Sequence, residues 1–194
     1  MALLITGLAI FLGLHLLPAL PRARLAVVAR LGEQRYKAAF SLASAAGLAL
    51  IVAGYAFSDD RGRVFAPFPA ARAIAPYAMA LSFVLLAAAN MRGHLRRFLQ
   101  HPMLIGILIW SSVHLLANGD RTGTALFGAF FAYAAVDLVS ATQRRAVKPF
   151  EPVSRHDVIA LGAGIGVALA VMAFHRMLFG VGRALRRMSA VSTR

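Results

Sequence analysis

Apolar runs long enough to cross a bilayer recur along this chain, and most of its charge falls in the gaps between them. A helix needs about 20 mainly apolar residues to span the hydrocarbon core. The pattern therefore predicts an all-α fold, a polytopic transmembrane helical bundle of about six spans with short loops. We treat residues 1–194 as one transmembrane domain. Hydrophobic residues make up 60% of the chain, above the range of an ordinary soluble domain.

The spans are expected at 2–20, 38–57, 73–90, 102–118, 122–142 and 158–179. Basic residues follow the first run instead of preceding it, unlike a cleaved signal peptide. Between the first two spans, Arg22, Arg24, Arg30, Arg35 and Lys37 surround an apolar stripe of Leu25, Val28 and Leu31, which predicts an interfacial amphipathic segment. Pro67 and Pro69 break the second loop, and Pro149 and Pro152 the fifth. Small-residue spacings, Ala43 with Gly47 and Gly162 with Gly166, mark places for close helix approach. A basic tail follows the last span.

The formal net charge is +14. No groove-reading motif accompanies it, so we expect anionic lipid headgroups as its partner and no nucleic acid. The loops at 22–37, 91–100 and 143–157 hold twelve basic residues, against nine on the opposite side. The positive-inside rule then places these three loops in the cytoplasm and both termini outside. Nothing in the sequence fixes an oligomeric state.

The stretch 101–120, HPMLIGILIWSSVHLLANGD, carries the sharpest local signals. Pro102 suits a first helical position, with His101 just before it. Asn118 and Gly119 suit a helix end, and Asp120 the cap of the next helix. His114 lies inside this apolar run and His15 inside the first. A neutral histidine is tolerated in lipid and a protonated one is expensive, so both are functional candidates. His101 is a third, with a capping role as its alternative. His94 and His156 fall in polar loops and are expected to be solvated. His175 is expected to sit at the interface. Asp137, the one acid expected at membrane depth, is expected to pair with Arg144 or Arg145, and Glu33 with Arg30 or Lys37.

The chain has no cysteine, which excludes disulfides, thiolate ligands and thiol catalysis. Histidine is left as the main metal ligand. His101 and His114 are thirteen residues apart, about 20 Å along one helix, so they cannot clamp one iron. Two axial nitrogens on one iron stand only about 4 Å apart. A two-histidine site must combine helices, with His15 and His114 the best pair. The expected topology nevertheless puts His15 on the cytoplasmic side of its helix midpoint and His114 on the outer side of its own.

Three stretches, GLHLLPALPR at 13–22, RLGEQRYKAAFSLASAAGL at 30–48 and HPMLIGILIWSSVHLLANGD at 101–120, resemble the NnrU family of bacterial integral membrane proteins associated with denitrification. The resemblance covers about residues 1–145. The last span and basic tail, 157–194, are not diagnostic. The family is in turn similar to the 15-cis-zeta-carotene isomerases, membrane enzymes that hold haem b between two histidines. The resemblance implies a bacterial inner-membrane protein, haem b as cofactor, and His15 and His114 as its metal ligands, with His101 as a further cofactor-binding histidine. It implies a hydrophobic small-molecule substrate if the chain is an enzyme, a haem-dependent cis–trans isomerase. The isomerases carry a Cys just upstream of the second histidine, whereas here Trp110-Ser111-Ser112-Val113 has none. The alternative is a non-enzymatic membrane accessory factor that supports expression or assembly of nitrite and nitric oxide reductases.

Overall fold

The computed structural model describes residues 1–58, 62–147 and 149–191, with the backbone alone at 176 and from 178 onward. The expected loop residues Asp59, Asp60, Arg61 and Lys148, and the last three residues of the tail, lie outside the described residues. Among the described residues eight α-helices follow one another: α1 (Ala2–Leu16), α2 (Pro21–Leu31), α3 (Glu33–Ala56), α4 (Pro69–Ala88), α5 (His94–Leu99), α6 (Pro102–Asn118), α7 (Arg121–Gln143) and α8 (Ser154–Val191). The fold is all-α, as the apolar runs predict. Among the described residues five helical stretches, α1 with the turn that follows it (Ala2–Ala19), α3, α4, α7 and α8, are long and apolar enough to cross a membrane. The sixth apolar helix, α6, is shorter, with 17 residues and a length of about 26 Å. That is a little under the hydrocarbon thickness of about 30 Å.

Local chemistry sets the helix ends. Pro18 falls in a 3-10 turn, Leu17–Ala19, that closes α1, and Pro21 opens α2. Gly32, at φ 77°, separates α2 from α3, so the amphipathic segment stops at Leu31 and Glu33 to Lys37 belong to the next helix. Pro102 is in the first turn of α6 with His101 at its cap. Gly119 ends α6 in the left-handed region at φ 71°, and the Asp120 carboxylate accepts the Gly123 N–H at 2.8 Å to cap α7. All four signals of the 101–120 stretch are realised. The basic tail differs from expectation, because the α8 backbone stays helical to Val191.

The spanning helices pack in the order α3, α1, α7, α6, α4, α8. Between lipid-exposed helices there is no hydrophobic drive to associate, so close van der Waals contact through small residues takes over. Gly7 of α1 faces the α3 backbone, where an added Cβ would lie 2.6 Å from the Ile51 nitrogen. Gly47 meets Phe11 at 3.1 Å, and Gly54 meets Leu4. At the other end of the row, Gly164 of α8 lies on the backbone of Val84 in α4, flanked one turn away by buried Ala160 and Ala168. Gly162 and Gly166, the residues expected to pack, have open space around them. A shift of two positions turns a helix by about 200°, so the small-residue stripe is on the opposite face from the one expected. The apolar side chains facing outward, such as Leu42 and Val158, suit a lipid surround.

The two ends of the bundle are tied differently. At the end holding Met1, the segment after α3 is stitched to the α6–α7 turn. Val64 N–H donates to the Gly119 carbonyl at 2.8 Å, Arg121 N–H to Gly62 at 2.8 Å, and the Ser58 and Thr122 hydroxyls share a buried bond of 2.9 Å. At the other end, the start of α8 is fastened to the turn before α5, where Val153 N–H donates to the Arg92 carbonyl at 2.8 Å.

Candidate functional site

Both intramembrane histidines lie in an aromatic core between α1, α3, α6 and α7. The buried part is Leu4, Leu8, Leu12, Ile51, Leu126 and Phe127, with Phe11, Trp110, Phe130 and Tyr133 packed against it. Helix α7 supplies Phe127, Phe130 and Tyr133, three aromatics one turn apart that face the row's interior. It runs between α1, which carries His15, and α6, which carries His114.

The two imidazoles are held alike. His15 Nδ1 is 2.7 Å from the Phe11 carbonyl, and His114 Nδ1 is 2.9 Å from the Trp110 carbonyl, each one turn back on its own helix. A carbonyl can only accept, so Nδ1 carries the proton in each neutral ring and Nε2 keeps its lone pair. That is how metal-ligating histidines are usually oriented. His15 stacks on Phe11 at 4.2 Å between centroids and touches Phe40 and Tyr133 at 5.2 and 6.4 Å. His114 lies on Phe127 at 4.8 Å and beside Trp110 at 5.4 Å.

The structure does not bring the two together on one point. His15 is level with Tyr133 and His114 with Phe127, six residues apart on α7, or about 9 Å along its axis. The path between them runs through rings: Phe11 meets Phe130 at 6.1 Å, and Phe130 meets Trp110 at 5.4 Å. Two axial bonds to a single iron need a gap of about 4 Å. Each histidine suits one axial bond to a haem; the pair, as held here, does not fit a shared iron. Among the described residues no three His, Asp or Glu side chains gather as a metal site.

The remaining candidates lie elsewhere. His101 stands at the N-terminal cap position of α6, at the end away from His114, without a side-chain capping bond, and its Nε2 is buried with no hydrogen-bond partner among the described residues. His175 is exposed and is close enough to His114 to interact with it electrostatically. His94 is more than half exposed, as expected of a solvated residue, and its ring nitrogen also meets Asp157 at 3.0 Å. His156, by contrast, is half-buried with Nδ1 shielded from solvent, unlike the solvated loop residue expected. Asp137 pairs with Arg144 at 3.7 Å and accepts from the Tyr133 hydroxyl at 3.4 Å. Glu33 pairs with Lys37 at 2.8 Å, one helical turn on.

A family model described as NnrU protein matches residues 3–183. The chain belongs to the NnrU family. The match runs past residue 145 and into α8, so the last span is part of what defines an NnrU protein. No curated protein and no solved structure matches the chain. The ring path of this NnrU protein escaped the sequence reading, although its signal was present. Phe127, Phe130 and Tyr133 recur at a spacing of three, which puts them on one helix face.

Proposed function

We propose that this NnrU protein works in the bacterial inner membrane as a haem b protein, using His15 or His114 as a single axial ligand, in a redox, sensing or isomerase-like role. The observation that carries the reading is the matched arrangement of the two imidazoles, each with Nδ1 fixed by a backbone carbonyl and Nε2 free, in a half-buried aromatic setting. A haem held by one of these imidazoles would supply iron chemistry tuned by the polarity around it. The protein's own part is to orient the ring, exclude water and present apolar surface to a hydrophobic substrate. The likeness to the zeta-carotene isomerases belongs to this proposal.

A second reading is favoured by a specific observation. Phe11, Phe130 and Trp110 fill the path between the histidines, as a purely structural core would. On that reading the protein is a non-enzymatic accessory factor for denitrification, supporting nitrite or nitric oxide reductase expression or assembly.

Pyridine-haem quantitation of protein purified from cells supplied with haem precursor separates the two. Haem near one per chain, reduced in His15→Ala or His114→Ala and unchanged in His94→Ala and His156→Ala, is the expected result. Haem-free wild type under those conditions leaves the accessory reading in place.

A further inference from the structure

An open cleft of about 280 Å³ lies where α2 meets the start of α3, lined by Pro18, Arg24, Tyr36, Lys37, Phe40 and Ser41. We propose that it seats the headgroup of an anionic phospholipid, with the phosphate at Arg24 and Lys37 and the first methylenes of the lipid on Phe40 and Pro18.

Four observations converge on this. First, the depth is right: α2 carries Arg22, Arg24 and Arg30 beside outward-facing Leu25 and Leu31, the composition of a helix lying in the headgroup region. Second, Arg24 is placed and only loosely engaged, the Glu33 carboxylate acting on it at a distance. Its guanidinium stands 5.8 Å above the ring of buried Tyr36 and makes no ion pair among the described residues. A guanidinium held by its face keeps its N–H edge for a bidentate phosphate contact. Third, Lys37 is paired only with Glu33, and both side chains are about two-thirds exposed. Exposed pairs of this kind are weak and are readily exchanged for a ligand. Fourth, the lining is two-sided: Arg24, Lys37 and Ser41 are polar, and Pro18 and Phe40 apolar. A free phosphate would use only the first group; an amphiphile uses both. Phe40 is also the ring against which His15 leans, at 5.2 Å, so an occupied cleft would close the core's flank nearest His15.

The test is native mass spectrometry of the full chain released from nanodiscs containing equal parts phosphatidylglycerol and phosphatidylcholine. Phosphatidylglycerol should be retained selectively, and Arg24→Gln/Lys37→Gln should weaken its retention about tenfold, the scale of losing a charge-assisted bidentate contact. Arg24→Lys should fall between, since it keeps charge and loses the fork. Arg22→Gln/Arg30→Gln, which removes the same charge from α2 outside the cleft, should retain lipid like wild type. Equal loss in both double variants would overturn the site and leave only general attraction to a basic chain. Displacement of the lipid by inorganic phosphate alone would also overturn it, in favour of a free-anion site. A thermal melt of each variant checks that it is folded; if the double variant melts early, Arg24→Lys decides the question by the same comparison.

Discussion

His94 and Asp157 are 63 residues apart in sequence and share one carboxylate at the end of the bundle. Asp157 accepts the backbone N–H of His94 at 2.9 Å, that of Leu95 at 3.0 Å and the His94 ring nitrogen at 3.0 Å. Gly93 lies directly against the same carboxylate. One side chain thus satisfies the start of α5 and fixes the start of α8 on it. Most of its value lies in the two backbone donors, because the His94 ring is more than half exposed. Asp157→Ala should therefore lower the melting temperature more than His94→Ala does, since it removes the bonds to two backbone N–H groups as well as the ring contact. His94→Ala should cost under about 1 kcal/mol. Melting of the two variants in detergent, with equal losses from both, would show that the ring contact matters as much as the backbone donors.

The α4–α8 contact gives a sharper test, because the sequence and the structure choose different glycines. Gly164 has no room for a side chain, while Gly162 and Gly166 face open space. Gly164→Leu should lose about 1–3 kcal/mol or separate the helices, the range for overpacking. Gly162→Leu and Gly166→Leu should be close to neutral. Chemical denaturation in mild detergent ranks them, and a loss at Gly166 equal to that at Gly164 would contradict the observed register.

Gly119 combines two constraints. Its φ of 71° disfavours any side chain, and an added Cβ would run into the Phe65 carbonyl. Gly119→Ala should cost about 1–3 kcal/mol and loosen the stitch that Val64 and Phe65 make to its carbonyl. Hydrogen exchange at Val64 measures this directly, since its amide is bonded to the residue that is displaced.

The sequence announces what depends on local chemistry. Proline and glycine fix where α2, α6 and α3 begin and end, and length with apolarity fixes which helices can cross a membrane. Which face of a helix meets which neighbour is not local. In a bilayer both the packed and the lipid-facing sides are apolar, so the hydrophobic pattern that orients a helix in a soluble protein carries little information. That is why Gly162 and Gly166 look as suitable as Gly164, and why the ring path through Phe11, Phe130 and Trp110 becomes visible only once α1, α7 and α6 are side by side. The partner of His94 is hidden from the sequence for a related reason: Asp157 lies in the first turn of the distant α8, and no spacing rule connects the two. The offset between His15 and His114, by contrast, is legible, because the position of each in its own helix already sets them at different depths.

Orientation is testable independently of the cofactor. The end holding the α1–α3, α4–α6 and α7–α8 connections carries the larger basic count, so it should face the cytoplasm. Reporter fusions after Lys37, Arg97 and Ala146 should read cytoplasmic, and a fusion after Asp120 should read periplasmic. The reverse pattern at Lys37 and Arg97 would invert the bundle and move the proposed lipid cleft to the outer leaflet.

The separation of His15 and His114 predicts the coordination state if haem binds. With their anchoring helices level with Tyr133 and Phe127, one imidazole can reach an iron while the other is held about 9 Å away along α7. The reduced protein should then be five-coordinate and should take up an added diatomic ligand with a large spectral shift. Only one of His15→Gly and His114→Gly should lose haem, and added imidazole should restore it in that variant, because the cavity left by the ring is bounded by the same aromatics. The other variant should keep wild-type spectra. A six-coordinate low-spin spectrum in the wild type, lost in both variants, would mean that the Phe11–Phe130–Trp110 path opens to let the two histidines meet on one iron.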